Sequence, residues 1–208
     1  MLPPCRDDSS LQEQLDLGEL PNGLPWEGAI AYLDRDGVLN RGSADYINHP
    51  DEVSLLPGAA NAMAELRRSG FRICVITNQS PIGRGLWDHN RLRDVHERLR
   101  KLLILEDNDA VIDLLLYSPY APWEGSWARK PNPGMLEAGR QLLQSSHVKS
   151  GPIEIIFGEE WAERPSESGS VLVGDMDSDI SAGVAHGVRS LLCNADVGLS
   201  DVLEQIIE

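Results

Sequence analysis

The sequence predicts an α/β fold in which helices cover both faces of a central parallel sheet. From residue 26 onward, short apolar runs with the length of buried strands alternate with longer segments whose apolar residues recur at helical spacing. Strands that alternate with helices are typical of parallel sheets, because right-handed crossovers bring every strand back in the same direction. Polar residues follow four of these strands, three of them directly and one after a loop, so we expect them to meet at the carboxyl edge of the sheet.

Taken in order, residues 1–25 are polar and rich in Pro and Gly, which indicates an N-terminal tail with a short helix around residues 11–17. Residues 26–208 form the predicted domain. Strands are predicted at 29–33, 71–76, 112–117, 153–157, 171–173 and 188–192. Helices are predicted after Pro57-Gly58, near Asp88, after Asn132-Pro133, through residues 180–184 and at the C-terminus. The histidines of the second helix, His89 and His96, are expected on its solvated face.

Composition narrows the classes of partner. A chain of 208 residues with 41% apolar and 25% charged residues can bury a real core. Its net charge of −15 argues against a nucleic-acid or anionic-membrane partner, since both need a basic surface. No apolar run has the length of a transmembrane helix, and the N-terminus lacks the pattern of a secretory signal. Cys5, Cys74 and Cys193 are widely spaced, as expected for free thiols of a cytoplasmic protein.

The first predicted strand ends in Asp34-Arg-Asp36-Gly37, which brings two carboxylates close together. Like charges at this separation repel each other unless a cation lies between them. A hard divalent cation with oxygen ligands, most often Mg²⁺, is the usual solution. On the motif alone, a simple turn is the alternative interpretation.

Three further strand ends carry polar residues of the same kind. Thr77 and Asn78 end the second strand, Arg129-Lys130 closes the loop after the third, and Asp175 and Asp179 follow a later strand. Each has a structural alternative, since Thr77 could cap a strand, Lys130 could be solvated and Asp179 could favour a helix N-terminus. Four polar strand ends at one edge nevertheless indicate a site. We expect Asp177 to be a helix-start residue.

Together these stretches resemble the haloacid dehalogenase (HAD) superfamily of phosphotransferases. Asp34-Arg-Asp-Gly-Val-Leu-Asn40, Thr77-Asn-Gln-Ser80 with Arg84-Gly85, and Arg129-Lys-Pro-Asn-Pro-Gly-Met135 are similar to a narrower group. That group contains the D-glycero-D-manno-heptose 1,7-bisphosphate phosphatases and the histidinol-phosphate phosphatases. The resemblance extends over roughly residues 28–195, and it implies a three-layer Rossmann-like fold.

The activity that this resemblance implies is a Mg²⁺-dependent phosphomonoesterase acting through an aspartyl-phosphate intermediate. Its substrate would be a small sugar phosphate or bisphosphate, like heptose 1,7-bisphosphate, and the protein would be monomeric. Histidinol phosphate or another small metabolite is the alternative substrate. A non-catalytic protein that binds a phosphorylated ligand is the further alternative, although the catalytic carboxylates and the lysine are all present.

The resemblance also implies a role for each site residue. Asp34 would attack phosphorus, and Asp36 would act as general acid and base. Thr77, Asn78 and Lys130 would bind the phosphoryl oxygens. Mg²⁺ would be held by the carboxylates of Asp34 and Asp175 and by the main-chain carbonyl of Asp36. Asp179 would support these ligands. Arg84 and Arg129 are candidates for a second anionic group of the substrate, or else ordinary surface arginines.

Two features depart from what many relatives carry. The intervals on either side of Thr77 are too short for a cap domain, so the site should be open. Many members of the narrower group hold the third loop with zinc, but the matching positions here carry no thiolate or imidazole: Ser118, Tyr120, Ser126 and Ala128. No zinc is therefore expected. The aspartate of the fourth motif is followed by Met176 where the heptose phosphatases have lysine, which bears on substrate choice.

Overall fold

A computed structural model describes residues 1–7 and 9–208 and contains a six-stranded sheet covered by helices on both faces. The strands are β1 (Cys5–Arg6), β2 (Ile30–Leu33), β3 (Arg72–Asn78), β4 (Leu114–Ser118), β5 (Val171–Gly174) and β6 (Arg189–Leu192). Their spatial order is β1-β4-β3-β2-β5-β6. Strands β2 to β6 pair in parallel, and β1 runs antiparallel to β4 at one edge. The predicted α/β fold is confirmed.

Helices form the outer layers: α1 (Ala59–Arg68), α2 (His89–Glu106), α3 (Gly134–His147), α4 (Asp177–His186) and α5 (Leu203–Ile207). Alternate side chains of each strand enter two separate apolar clusters. In β2, Ala31 and Leu33 pack with residues of α1 and α2, whereas Ile30 and Tyr32 pack with residues of α3. Because both faces are buried, the central strands are continuously apolar, and this made them recognisable in the sequence.

The chain has no inserted cap domain among its described residues. Between Asp36 and Thr77 lie a loop and α1, and between Thr77 and Lys130 lie α2, β4 and loops. The Asp88 side chain accepts a hydrogen bond of 2.9 Å from the Arg91 main-chain N–H and so starts α2 as predicted. The carboxyl edge of the sheet is therefore left open to solvent.

Three local predictions were wrong. Residues 11–17 form no helix, because the segment packs along the molecule with Leu15 buried and its N–H bonded to Ser146 Oγ at 2.8 Å. Residues 153–157 form no strand, because the Gln141 side chain hydrogen-bonds both the N–H and the carbonyl of Ile156. Helix α3 begins one residue later than expected, with Pro133 rather than Asn132 at its N-cap.

The prediction for His96 was also wrong, whereas His89 is exposed as expected. His96 is completely buried, although it lies on a helix rich in charged residues. Its ring faces inward because two charged side chains meet it there, Arg35 on one side and Asp7 on the other. The second of these comes from the N-terminal segment, which joins the sheet as β1.

Cys74 and Cys193 are buried free thiols, as predicted, and Cys5 is partly exposed. In the part of the chain that the structure describes, the helices are too short or too polar to traverse a lipid bilayer.

Candidate active site

The polar strand ends meet at the carboxyl edge of the sheet. Strands β4, β3, β2 and β5 are consecutive neighbours, so the residues that follow them converge. Asp34 directly follows β2, Thr77 and Asn78 end β3, and Asp175 directly follows β5. Together they line a cavity of about 250 Å³, whose other lining residues are Arg35, Asp36, Gly42, Ser43, Tyr46, Ile47, Gln79, Lys130, Met176 and Ser178.

Glycine at position 37 allows the loops after β2 and β5 to approach each other. Gly37 has φ +77, and a Cβ atom there would overlap the carboxylate of Asp175. The turn is closed by a hydrogen bond of 2.8 Å from the Gly37 N–H to the Asn40 carbonyl. The glycine of the Asp-x-Asp-Gly motif is therefore required both by its backbone conformation and by the space that Asp175 occupies.

Lys130 is the buried cation of the site. Its Nζ lies 2.8 Å from Asp34 Oδ1, 2.6 Å from Asp179 Oδ1 and 2.9 Å from the carbonyl oxygen of Ile76. Burial disfavours the charged amine, but Asp34 and Asp179 outweigh this effect and raise the pKa of Lys130. The lysine thus remains protonated and offsets part of the negative charge around it.

The carboxylates nevertheless outnumber this lysine. Asp34, Asp175 and Asp179 each offer an oxygen, and these oxygens lie within 4.8 Å of one another. Burial raises the pKa of Asp34 to about 7, with Lys130 opposing the rise and Asp179 and Asp36 adding to it. Burial and Asp179 likewise raise the pKa of Asp175. An oxygen-only donor set with unbalanced negative charge fits a hard divalent cation such as Mg²⁺.

Asp36 is held by a different set of residues. Arg35 donates to both of its carboxylate oxygens, Asn40 Nδ2 donates to Oδ1 at 2.8 Å, and Gln79 Nε2 lies 3.3 Å from Oδ2. Burial raises the pKa of Asp36, but these donors outweigh it and keep the pKa below its ordinary value. Gln79 also donates to Thr77 Oγ1 at 2.8 Å. These three partners were not predicted from the sequence, although all three lie inside the quoted motifs.

The side chains of the two residues that end β3 have different surroundings. Thr77 is buried and lines the cavity. The side-chain amide of Asn78 donates to the Lys130 carbonyl at 3.0 Å and accepts from the Lys130 N–H at 3.1 Å. Asn78 therefore ties the Lys130 loop to β3, and its side chain is occupied by that contact.

Arg84 and Arg129 are not among the described residues that line the cavity. The Arg84 guanidinium lies 4.9 Å from the ring centroid of Trp123, and Arg129 Nη1 donates to the Tyr120 carbonyl at 3.2 Å. Burial and the charge of Arg84 lower the pKa of Arg129, whereas Tyr46, a cavity residue, raises it. The charges of Arg84 and Arg129 therefore act on each other, and Arg129 is within electrostatic reach of a residue that lines the cavity.

The loop after β4 is held by hydrogen bonds at the positions where zinc ligands were considered. Ser126 Oγ donates to the Leu2 carbonyl at 3.1 Å and accepts from the Ala128 N–H at 3.1 Å. Trp127 Nε1 donates to Oε2 of the buried Glu137 at 2.7 Å. The N-terminal segment and α3 therefore both fasten this loop.

Known proteins resemble the chain in both sequence and structure. The family model described as HAD-hydrolase-like matches residues 127–207. A D-glycero-beta-D-manno-heptose-1,7-bisphosphate 7-phosphatase of Pseudomonas aeruginosa is 42% identical over 171 residues, covering 82% of this chain and 84% of the relative. The enzyme of the same name from Pseudomonas putida is 34% identical over 169 residues, covering 81% and 84%.

A solved structure agrees with these relatives. The D,D-heptose 1,7-bisphosphate phosphatase of B. bronchiseptica, crystallised with magnesium and phosphate, superimposes with a TM-score of 0.70 at 26% identity, covering 86% of this chain and 98% of that one. The shared fold, the ordered motifs and the extent of sequence identity lead to one conclusion. This chain is a phosphatase of the HAD superfamily and belongs to the family of the heptose-1,7-bisphosphate 7-phosphatases.

Proposed function

We propose that the chain hydrolyses a phosphomonoester of a small sugar bisphosphate, of the heptose 1,7-bisphosphate type, through a phosphorylated Asp34. One observation carries the mechanism. The Asp34 carboxylate ends a buried strand, faces the cavity, and has Lys130 Nζ at 2.8 Å with Asp175 and Asp179 beside it. The names of the relatives support the substrate class.

In the first step, an oxygen of the Asp34 carboxylate attacks phosphorus and the ester oxygen leaves with the sugar. Asp36 donates a proton to that leaving oxygen. The incoming phosphate dianion favours the protonated form of Asp36, because an ionised Asp36 and the dianion would repel each other within the cavity. Lys130 and the Thr77 hydroxyl bind phosphoryl oxygens, and Asn78 contributes by holding the Lys130 main chain in place.

In the second step, Asp36 takes a proton from a water molecule, which attacks the phosphorus of the aspartyl phosphate. The Asp34 carboxylate is then the leaving group, and inorganic phosphate is released. The donors that stabilise ionised Asp36, chiefly Arg35, suit this step, since the base must begin as a carboxylate. One residue thus serves as acid and then as base.

Asp34, Asp175 and the main-chain carbonyl of Asp36 would hold Mg²⁺, with Asp179 in support. The ion would offset the negative charge of the transferred phosphoryl group. The donor chemistry supports this assignment, because burial together with the charges of Asp179 and Asp36 raises the pKa of both Asp34 and Asp175 even though Lys130 opposes the rise.

Arg84 and Arg129 would bind the second phosphate of a bisphosphate. Burial and the charge of Arg84 lower the pKa of Arg129, which also interacts with the cavity residue Tyr46, so a bound anion would relieve the repulsion between the two guanidiniums. A second phosphate there would pair with both guanidiniums. A monophosphate would lack this contact, and we therefore expect it to be a weaker substrate.

The test is phosphate release from a panel that includes heptose 1,7-bisphosphate, other sugar mono- and bisphosphates, and histidinol phosphate, with Mg²⁺ present. We expect the highest kcat/KM with a sugar bisphosphate. Acid-quenched wild-type protein should retain a phosphoryl group, and Asp34→Asn should abolish both this labelling and turnover, because an amide does not attack phosphorus.

Asp177→Asn is the matched control, since Asp177 is an exposed residue in the first turn of α4 and does not line the cavity. It should label and turn over like the wild type. Near-normal turnover by Asp34→Asn would refute the mechanism. A strong preference for histidinol phosphate would refute the proposed substrate and retain the chemistry.

A further inference from the structure

A buried chain of side chains connects the N-terminal segment to Asp36. Arg35, which separates the two motif aspartates, is almost completely buried, with 1% of its surface exposed. Its Nε donates to Asp36 Oδ1 at 3.2 Å and its Nη2 to Asp36 Oδ2 at 2.7 Å. A buried guanidinium with two contacts to one carboxylate fixes the orientation of that carboxylate.

The third nitrogen of this guanidinium contacts His96. Arg35 Nη1 lies 3.2 Å from His96 Nε2. A guanidinium can only donate, so Nε2 must be the unprotonated acceptor and Nδ1 must carry the proton. His96 Nδ1 lies 3.0 Å from Asp7 Oδ1, which accepts that proton's hydrogen bond. The contact with Arg35 therefore requires His96 to be neutral, with its proton on Nδ1.

Asp7 ends this chain of contacts and is itself fixed. It follows β1, and its N–H donates to the Leu115 carbonyl at 3.1 Å, which continues the pairing of the edge strand with β4. Its second carboxylate oxygen pairs with Arg100 of α2. Asp7 is 7% exposed and His96 is fully buried, so the two side chains are shielded from water.

The result is an ordered row of charges that alternate in sign. Asp36 and Asp7 are the anions, and Arg35 and Arg100 are their cationic neighbours. Neutral His96 accepts a hydrogen bond from Arg35 on the side of the guanidinium that does not contact Asp36. If His96 is lost, Arg35 Nη1 loses its acceptor, and the orientation of the guanidinium then depends on Asp36 alone.

We propose that His96 and Asp7 are positioning residues for the general acid–base step, acting through Arg35 on Asp36. The N-terminal segment is then part of the catalytic apparatus, although it lies outside the region that carries the motifs. The inference rests on the proposed role of Asp36. It adds two residues, from α2 and from the chain following β1, that do not touch the substrate.

If His96 and Asp7 were purely structural, their loss would slow the cleavage of every substrate alike. If they act through Asp36, the loss of rate should depend on the leaving group. A sugar alkoxide needs a proton as it departs, whereas p-nitrophenolate is a good leaving group and needs little help. Misplacing Asp36 should therefore slow the cleavage of a sugar phosphate far more than that of p-nitrophenyl phosphate. A loss of folded protein or a general loosening of the site would slow both.

The experiment compares kcat/KM for these two substrates in the wild type, His96→Asn and His96→Gln. The Asn amide can still reach Asp7 but is too short for Arg35, whereas the Gln amide places an acceptor near the former Nε2. We expect His96→Asn to lower kcat/KM for a sugar phosphate by about 10- to 100-fold, within the range of acid–base help. The value for p-nitrophenyl phosphate should change less than about 3-fold, and His96→Gln should recover most of the loss.

Asp94→Asn is the control, because it changes an exposed side chain of the same helix. Asp7→Leu is a second test that retains the histidine but removes its carboxylate acceptor at similar size, and it should show the same leaving-group dependence. Equal losses on both substrates in His96→Asn and Asp7→Leu, or no loss, would overturn the inference. A wild type that cleaves neither substrate would instead refute the proposed function.

Discussion

Lys130 Nζ lies 2.8 Å from Oδ1 of Asp34, and the same ammonium group also contacts Asp179 at 2.6 Å. Both partners come from other parts of the chain, one from the end of β2 and one from α4. Lys130 itself arrives on the loop after β4, which Asn78 ties to β3. One buried ammonium group therefore joins four elements of the fold at the candidate nucleophile, and it links stability with chemistry.

The first prediction concerns this lysine. Lys130→Met should abolish measurable phosphatase activity, because the phosphoryl oxygens and Asp34 lose their buried cation. It should also destabilise the fold by about 3 kcal/mol, the usual scale for breaking a buried ion pair from one side. Urea unfolding and phosphate release measure the two effects. Lys101→Met, which removes an exposed lysine from α2, should change neither. A fully stable and active Lys130→Met protein would contradict both expectations.

The second prediction concerns metal content. The four loop positions considered for zinc offer two hydroxyls, one phenol and a methyl group, none of which is a good zinc ligand: Ser118, Tyr120, Ser126 and Ala128. Elemental analysis of the purified protein should show no stoichiometric zinc. Treatment with EDTA should remove activity, and added Mg²⁺ should restore it. One zinc per chain, or full activity in metal-free buffer, would contradict this prediction.

The third prediction separates the two tryptophans of the loop after β4. From the sequence alone, Trp123 and Trp127 could either shield one face of the substrate or simply pack within the loop. Trp123 is 69% exposed and lies under Arg84, so Trp123→Ala should raise KM about 5-fold, since one cation–π contact is worth about 1 kcal/mol, and leave the Tm nearly unchanged. Trp127→Phe should instead lower the Tm and leave KM unchanged, because buried Glu137 loses its indole donor. The reverse pattern would show that Trp127 contacts the substrate.

The fourth prediction concerns stability in mild acid. Burial lowers the pKa of His96 from 6.5 to about 4, with Asp7 opposing this shift and Arg35 and Arg100 adding to it, while the ring of Tyr117 packs beside it. Between these pH values the unfolded chain binds a proton that the folded chain does not, so stability falls as the pH decreases.

Urea unfolding at pH 7 and pH 5 measures this effect. The wild type should lose about 2 kcal/mol more between these pH values than His96→Gln does, because the glutamine does not titrate. Asp7 and Glu167, whose pKa values are held at about 2 in the folded chain, add losses mainly below about pH 5, where these carboxyls begin to protonate in the unfolded chain. The same pH dependence in both proteins would show that His96 is not the responsible group.

How well each element could be predicted depends on how local its cause is. Strands β2, β3 and β5 were found because a strand buried on both faces must be apolar along its length. Asp88 was found because an N-cap needs a side-chain acceptor within its own turn. Strand β1 was missed because its two residues are too few to show a periodicity, and their pairing with β4 depends on a segment more than a hundred residues away.

The sequence by itself determined the chemistry of this protein. The ordered motifs around Asp34-x-Asp36, Thr77, Lys130 and Asp175 resemble those of the HAD phosphatases, and parallel strands must bring their carboxyl ends to one edge, so these residues were expected to meet in one site. The tertiary structure decided what surrounds each of these groups. Only contacts between distant segments could bury His96, place Asp7 behind Arg35 and turn the Asn78 amide onto Lys130. Such contacts depend on how the layers pack in three dimensions, and no spacing within a single segment of the chain records them.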